Sequence, residues 1–124
     1  MLYQTRMTAL NGEDSPVYLR LRATIAAAIL RGDYRAGDQL PSVRALAAEH
    51  GANPLTVAKA YQSFQDGGYV EVRRGVGMFV LPGADQRLLG AERERFLRQV
   101  WPRVREHIDL LGLDAAALLD AETI

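Results

Sequence analysis

Residues 40–69 read LPSVRALAAEHGANPLTVAKAYQSFQDGGY, and the periodicity of this segment indicates the architecture of the chain. It contains two short helical patterns, Val43 to His50 and Pro54 to Asp66. Only residues 51–53 separate them, a connection that has room for a tight turn and nothing longer. The spacing therefore predicts a helix-turn-helix.

The ends of both helices carry their own signals. Ser42 is a good N-cap for the first helix, and Asn53 followed by Pro54 puts a capping side chain before a residue preorganised for the first turn. Gly51 stands where the first helix must stop. These residues predict the boundaries of the motif.

Each helix also has an apolar face that can bury against a common core. The apolar residues at helical spacing are Val43, Leu46 and Ala47 in the first helix and Val57, Tyr61 and Phe64 in the second. The outer side of the second helix carries small or polar residues, which can meet base edges and phosphates. They are Asn53, Thr56, Lys59 and Gln62.

The composition limits the classes of protein. At 124 residues and 48% hydrophobic content, the chain has room for one compact core and an appended segment. It has no cysteine, which excludes disulfide frameworks and thiolate metal sites and is consistent with a reducing cytoplasm. Neither a signal peptide nor an uninterrupted run of about 18 apolar residues is evident, so we expect a soluble cytoplasmic protein.

The net charge is zero but unevenly distributed. Residues 1–82 contain nine Arg or Lys against seven Asp or Glu, whereas residues 83–124 contain six against eight. Phosphate binding depends on local clustering of positive charge more than on the total. Arg44, Lys59 and the pair Arg73-Arg74 are the candidates for such a cluster.

The segment before the motif predicts one further helix. Residues 1–14 lack periodicity and are expected to form a flexible arm. Ser15 and Pro16 then cap and open a helix that runs through Arg31 and ends at Gly32. A turn-rich connection follows, and Leu40 is its expected anchor in the core.

The segment after the motif predicts a β-hairpin. Tyr69 to Arg73 alternates as a half-buried strand does, and Met78 to Leu81 is the returning strand. The tip, residues 74–77, reads RGVG and contains two glycines that can adopt positive φ. A helix-turn-helix followed by a basic hairpin predicts a winged helix over residues 15–82, with the wing along a phosphate ridge or in the minor groove of DNA.

The span from Pro16 to Pro82 resembles the DNA-binding domain of the GntR family of bacterial transcription regulators. The shared features are the proline-aromatic start at Pro16 to Tyr18, the connection at Gly32 and Gly37 to Leu40, the LPSVR-LA signature at Leu40 to Ala47, the TV-AY core at Thr56 to Tyr61, and the G-GTFV-like ending at Gly75 to Val80. The Asn53-Pro54 pair and the short tail are similar to the YtrA-type subfamily. The resemblance implies a homodimeric regulator of a palindromic double-stranded operator, commonly a repressor of its own or a transporter operon.

The resemblance and the outer faces together predict the DNA contacts. The candidates are Ser42, Arg44, Asn53, Leu55, Thr56, Lys59, Arg73, Arg74, Gly75 and Gly77. Relatives often have a polar residue at the position of Leu55, which leaves two interpretations: it touches a thymine methyl, or it rests against the fold.

Residues 83–124 predict a helical tail. Its apolar stripe, expected to form the dimer interface, comprises Leu89, Phe96, Leu97, Val100, Trp101, Val104, Ile108 and Leu111. Pro102 costs a helix interior about 3 kcal/mol and predicts a kink or break beside Trp101, while Gly112 ends the helix and Asp114 caps a last short one. The stripe either covers the winged domain or meets a second subunit, and its length favours the second subunit.

The sequence leaves one rival function and gives no support for a metal site, a cofactor site or an enzyme. His50 and His107 lack metal-ligand spacing, no cofactor motif occurs, and no set of nucleophile, base and orienting group indicates an enzyme. The rival is a winged helix that binds protein without binding DNA. We therefore predict a mainly α fold with a small β-hairpin, a winged helix-turn-helix followed by a short helical dimerisation tail. The identity of any small-molecule effector is left open.

Overall fold

The computed structural model describes residues 15–121, so the predicted arm at residues 1–14 lies outside the described residues. The elements in chain order are α1 (Pro16–Arg31), α2 (Val43–His50), α3 (Pro54–Asp66), β1 (Val70–Arg73), β2 (Gly77–Val80), α4 (Ala84–Arg95), a π-helical turn (Phe96–Val100), α5 (Trp101–Leu110) and α6 (Ala115–Asp120). This mainly helical architecture with one antiparallel hairpin confirms the predicted winged helix.

The helix-turn-helix has the boundaries that its capping residues predict. The Ser42 hydroxyl accepts a hydrogen bond from the backbone N–H of Ala45 at 3.0 Å, and the Asn53 side chain accepts one from Leu55 at 2.8 Å. Gly51 ends α2 in the left-handed conformation, with φ 59°. Local sequence thus determines both helix starts and the turn between them.

One hydrophobic core holds α1, α2, α3 and the base of the hairpin together. Phe64 of α3 belongs to this core with none of its surface exposed, and the guanidinium of Arg22 lies over the Phe64 ring at 4.8 Å from the centroid. The buried side chains are Tyr18, Leu21, Ile25, Ala26, Ile29, Leu40, Leu46, Ala47, Val57, Ala60, Tyr61, Phe64, Val70, Val80, Ala84 and Leu88. The predicted apolar residues of α2 and α3, apart from the partly buried Val43, and the predicted anchor Leu40 belong to this set.

The connection between α1 and α2 runs beside β2 in a strand-like manner. The N–H of Gly37 donates to the carbonyl of Val80 at 2.8 Å, and Val80 donates in turn to Asp38 at 3.0 Å. The N–H of Leu40 donates to the carbonyl of Met78 at 2.8 Å. The turn-rich connection therefore covers one edge of the hairpin, a pairing that local sequence signals did not predict.

The limits of the two strands differ by one residue from those predicted, although β1 ends at Arg73 as expected. Val70 pairs with Val80 and Arg73 with Gly77, so β1 begins one residue after Tyr69 and β2 begins at Gly77. The turn consists of residues 74–76 alone. Gly77, predicted in the turn, is the first residue of the returning strand because it pairs directly with Arg73.

The first turns of α4 pack with the winged helix. Ala84 and Leu88 are fully buried in the core, and the contact pattern divides the chain into two compact units between Leu88 and Leu89. The guanidinium of Arg87 donates to the carbonyls of Pro82 at 3.0 Å and Gly68 at 2.6 Å. The winged unit therefore extends past Pro82 into α4.

In the second unit, Pro102 is accommodated by a π-helical turn. The N–H of Trp101 donates to the carbonyl of Phe96, five residues back, and Pro102 lies in the first turn of α5, where proline is tolerated. The helical structure is continuous from α4 through the π-helical turn to α5. The sequence predicted a kink or a break beside Trp101, and no break occurs there.

The end of α5 has the predicted geometry. Gly112 has φ 66°, and the N–H of Leu113 donates to the carbonyl of Ile108 at 3.0 Å. This is the hydrogen-bond pattern of a Schellman motif. The Asp114 carboxylate then accepts from the N–H of Ala116 at 3.1 Å and starts α6.

Candidate nucleic-acid interface

The orientation of α3 follows from its buried face. Val57 and Ala60 have no exposed surface, so the opposite side of the helix faces solvent. Leu55 is 63% exposed and Lys59 is also exposed, whereas Thr56 is half-buried. An exposed side with small, polar and cationic groups has the chemistry to meet a DNA groove.

Tyr61 fixes α3 to the start of α2. Its side chain is buried, and its hydroxyl donates a hydrogen bond to the carbonyl of Pro41 at 2.7 Å. Burial raises the pKa of Tyr61 well above its ordinary value, and the nearby Tyr34 and Glu49 raise it further. The phenol is therefore a neutral donor at physiological pH, and its hydrogen bond holds α3 against the segment that leads into α2.

The two capping residues have part of their hydrogen-bonding capacity already in use. The Ser42 hydroxyl oxygen accepts from Ala45, but its O–H is still able to donate. The carbonyl oxygen of the Asn53 side chain accepts from Leu55, which leaves its amide N–H groups as donors. Both residues are exposed at helix starts and can donate outward, which suits phosphate oxygens.

The basic residues differ in how strongly the protein holds them. Arg44 on α2 and Arg74 at the wing tip are exposed, and neither forms an ion pair with a carboxylate in residues 15–121. Arg73 lies 3.4 Å from Glu71 and stacks on Phe79 at 4.1 Å from the ring centroid. Arg44 and Arg74 are therefore the more available cations.

The two wing glycines have different surroundings. Gly75 is exposed with φ 78°, and a Cβ built there meets no neighbouring atom within 4 Å. Gly77 has φ 147°, and a Cβ there would overlap the side-chain amide of Gln39. Gly75 thus lets the turn form, whereas Gly77 permits close approach of another side chain.

Gln39 and Arg22 are two residues whose contacts the sequence did not reveal. The Gln39 amide donates to the carbonyl of Val76, 37 residues away, at 2.8 Å. Arg22 donates to the Ser63 hydroxyl at 3.0 Å and so ties α1 to α3. Arg22 follows the buried Leu21 in α1, which is a weak signal, while Gln39 lies in the Gly37 to Leu40 connection, where nothing in the sequence indicates its bond to Val76.

The predicted dimer residues form accessible apolar surface within the second unit. Leu97 and Leu111 are 60% and 67% exposed, while Val100 and Ile108 are half-buried. The remaining predicted residues are also exposed: Leu89, Phe96, Trp101 and Val104. Additional exposed leucines at Leu110, Leu113, Leu118 and Leu119 enlarge this surface beyond the predicted stripe.

Over residues 15–121, no cluster of three or more His, Asp or Glu side chains is arranged to hold a metal ion. In the same part of the chain, no helix combines the length and the apolar character needed to cross a membrane.

Comparisons with known proteins fit this geometry. The family model described as bacterial regulatory proteins, gntR family, matches residues 17–80. The chain is 30% identical over 107 residues to the HTH-type transcriptional regulator YhcF of Bacillus subtilis, covering 86% of this chain and 87% of the relative. It is 37% identical over 76 residues to the HTH-type transcriptional repressor YtrA of the same organism, covering 61% of this chain and 58% of the relative. A GntR family transcriptional regulator from Listeria monocytogenes has a similar structure, with a TM-score of 0.63, 26% identity and coverage of 87% of this chain and 93% of that one.

Proposed function

Since the chain belongs to the GntR family and is a YtrA-like DNA-binding transcription regulator, we propose that it acts as a homodimeric repressor of its own or a transporter operon. Its operator is a palindromic double-stranded site, and the protein regulates transcription without catalysing a reaction. The repressor role rests on the similarity to YtrA, which is named as a repressor.

One observation carries the proposal. The inner face of α3 is buried, its outer face presents exposed Leu55 and Lys59, and the hairpin that follows α3 in the chain has exposed Arg74 at its tip. A helix that is rigidly anchored on one side and polar on the other suits insertion into the major groove. A cationic hairpin suits the adjacent phosphates or minor groove.

The residues of α3 and α2 have distinct proposed roles. The residues that face the bases lie at the N-cap and in the first half of α3: Asn53, Leu55, Thr56 and Lys59. The 63% exposure of Leu55 favours contact with a thymine methyl. Ser42 donates to a phosphate. Arg44 reaches a base or a phosphate from α2.

In the wing, Arg74 and the Gly75 backbone contact phosphate or enter the minor groove. Arg73 contributes charge at the same edge while it remains close to Glu71. Gly77 contributes by letting the hairpin pack closely against Gln39.

We assign dimerisation to the tail. A single recognition helix reads only a few base pairs, whereas two helices related by a two-fold axis double the readout at a fixed spacing. Phe96, Leu97, Trp101 and Val104 supply exposed apolar surface, of the kind that a second subunit covers.

Selection of bound fragments from genomic DNA, followed by footprinting, tests this proposal. We expect enrichment of a site with two symmetric halves whose centres lie about one helical turn, or a multiple of it, apart. Arg44→Ala should lose the enrichment, and Arg20→Ala, which removes an exposed arginine on α1, should retain it. Failure of the wild-type protein to enrich any fragment would instead favour a winged helix that binds only protein.

A further inference from the structure

The core holds the base of the wing but leaves its tip outside. Val70 and Val80, at the base, are buried, whereas Val72 is 52% exposed and Val76 is 61% exposed. The two strands have four residues each, and an isolated two-stranded hairpin is only marginally stable in water. The position of the tip therefore depends on contacts other than core packing.

Gln39 makes such a contact. Its side-chain amide donates a hydrogen bond of 2.8 Å to the carbonyl of Val76, the last residue of the turn. The backbone on either side of Gln39 is fixed, because Asp38 accepts from Val80 and Leu40 donates to Met78. The amide thus reaches the wing tip from an anchored segment.

The close approach at Gly77 makes this contact specific. Gly77 is half-buried and φ there is 147°, and a Cβ at this position would overlap the Gln39 amide nitrogen. The amide lies directly against the Gly77 backbone while it bonds to Val76. Any larger residue at position 77 would displace the Gln39 side chain.

We propose that Gln39 is a positioning residue for DNA binding, whose amide fixes the wing tip relative to the helix-turn-helix. Gln39 lies three residues before Ser42, the N-cap of α2, so its bond to Val76 connects the tip directly to the helix that carries Arg44. A tip ordered before binding loses less conformational freedom on meeting DNA. The inference that Gln39 orders the wing tip is drawn from the contacts described above, whereas its contribution to DNA affinity rests on the proposed function.

The first test needs no DNA. In the full chain, Gln39→Ala should lower the backbone order parameters of Gly75 and Val76 from about 0.85 towards 0.6, while the midpoint of thermal unfolding falls only by the small amount that one exposed hydrogen bond supplies. Gln39→Met should have the same effect, since it restores side-chain length without the donor. Gln86→Ala, which alters an exposed glutamine on α4, is the matched control and should leave both quantities unchanged. A wing as rigid in Gln39→Ala as in wild type would overturn the proposal.

The second test uses a 30-base-pair duplex of mixed sequence and fluorescence anisotropy. Gln39→Ala should bind about two- to tenfold more weakly, the factor that corresponds to one hydrogen bond. In an Arg74→Ala background the same substitution should cost clearly less affinity, because the wing it positions has lost the arginine that forms no ion pair and keeps only Arg73, which lies close to Glu71. Equal losses in both backgrounds would mean that Gln39 touches DNA directly, and the positioning role would be wrong.

Gly77→Ala supplies an independent check. On its own it displaces the Gln39 amide in addition to straining the backbone, so it should reduce affinity for the duplex by more than it does when Gln39 is already alanine. Equal effects in the two backgrounds would contradict the proposal. If the wild-type protein binds no duplex, the contribution of Gln39 to DNA binding fails together with the proposed function. The order parameters of Gly75 and Val76 still test separately whether Gln39 orders the tip.

Discussion

Leu88→Ala should destabilise the winged unit although Leu88 belongs to the helix that continues into the tail. Leu88 has no exposed surface and packs in the same core as Phe64. Truncation of a buried leucine to alanine costs about 2–5 kcal/mol, a large part of the roughly 5–15 kcal/mol that stabilises a typical domain. The free energy of unfolding from urea titrations of the full chain, followed by circular dichroism, measures this loss.

Leu89→Ala is the matched control. Leu89 is the adjacent residue, is 46% exposed and lies in the second unit, so its truncation should cost less than about 1 kcal/mol within one subunit. A contribution of Leu89 to dimerisation would appear as a loss that varies with protein concentration, whereas the loss from Leu88→Ala should persist at low concentration. Equal and concentration-dependent losses for the two variants would refute the assignment of Leu88 to the winged core.

Three further predictions follow from the same geometry. Arg44→Ala should weaken binding to the selected operator by about 1–3 kcal/mol in anisotropy titrations and leave the free energy of unfolding unchanged, because the side chain is exposed; wild-type affinity would contradict its role. The pKa of Tyr61 is raised in the folded state, so the free energy of unfolding should be independent of this group below the unfolded tyrosine pKa of about 10. Above that pH the free energy of unfolding should fall by up to about 1.4 kcal/mol per pH unit, because the unfolded state loses the proton first. Urea titrations should find a smaller slope in Tyr61→Phe. A fragment ending at Gly90 should remain folded, sediment as a monomer and bind DNA weakly, and a dimeric fragment would show that the tail does not hold the subunits together.

Local sequence was sufficient for the helices because their boundaries depend on local chemistry. Ser42, Gly51 and Asn53 act through hydrogen bonds or backbone angles within a few residues of themselves. The apolar spacing of α3 likewise determined which face is buried, since Val57, Tyr61 and Phe64 all lie in the core. Helix α3 and its solvent-facing side were therefore predictable.

Features that depend on distant partners were not predictable. The pairing of Gln39 with Val76 joins residues 37 positions apart, and the motif around each residue predicts its own segment but not the contact between the two. Leu88 was assigned to the tail because it follows Pro82, but it is buried in the core cluster of the winged unit, whose other members lie earlier in the chain. For Pro102, the missing N–H predicted an interruption, while the π-helical turn that accommodates it depends on the preceding backbone.

The salt dependence of DNA binding shows whether the wing and the helix-turn-helix together neutralise phosphates. The dissociation constant of the full chain for a selected genomic fragment should be measured over a series of potassium chloride concentrations. We predict that the logarithm of affinity falls steeply and linearly with the logarithm of salt concentration, and that Arg74→Ala reduces this slope by about 1. Binding that is insensitive to salt, or a slope that Arg74→Ala leaves unchanged, would contradict the account.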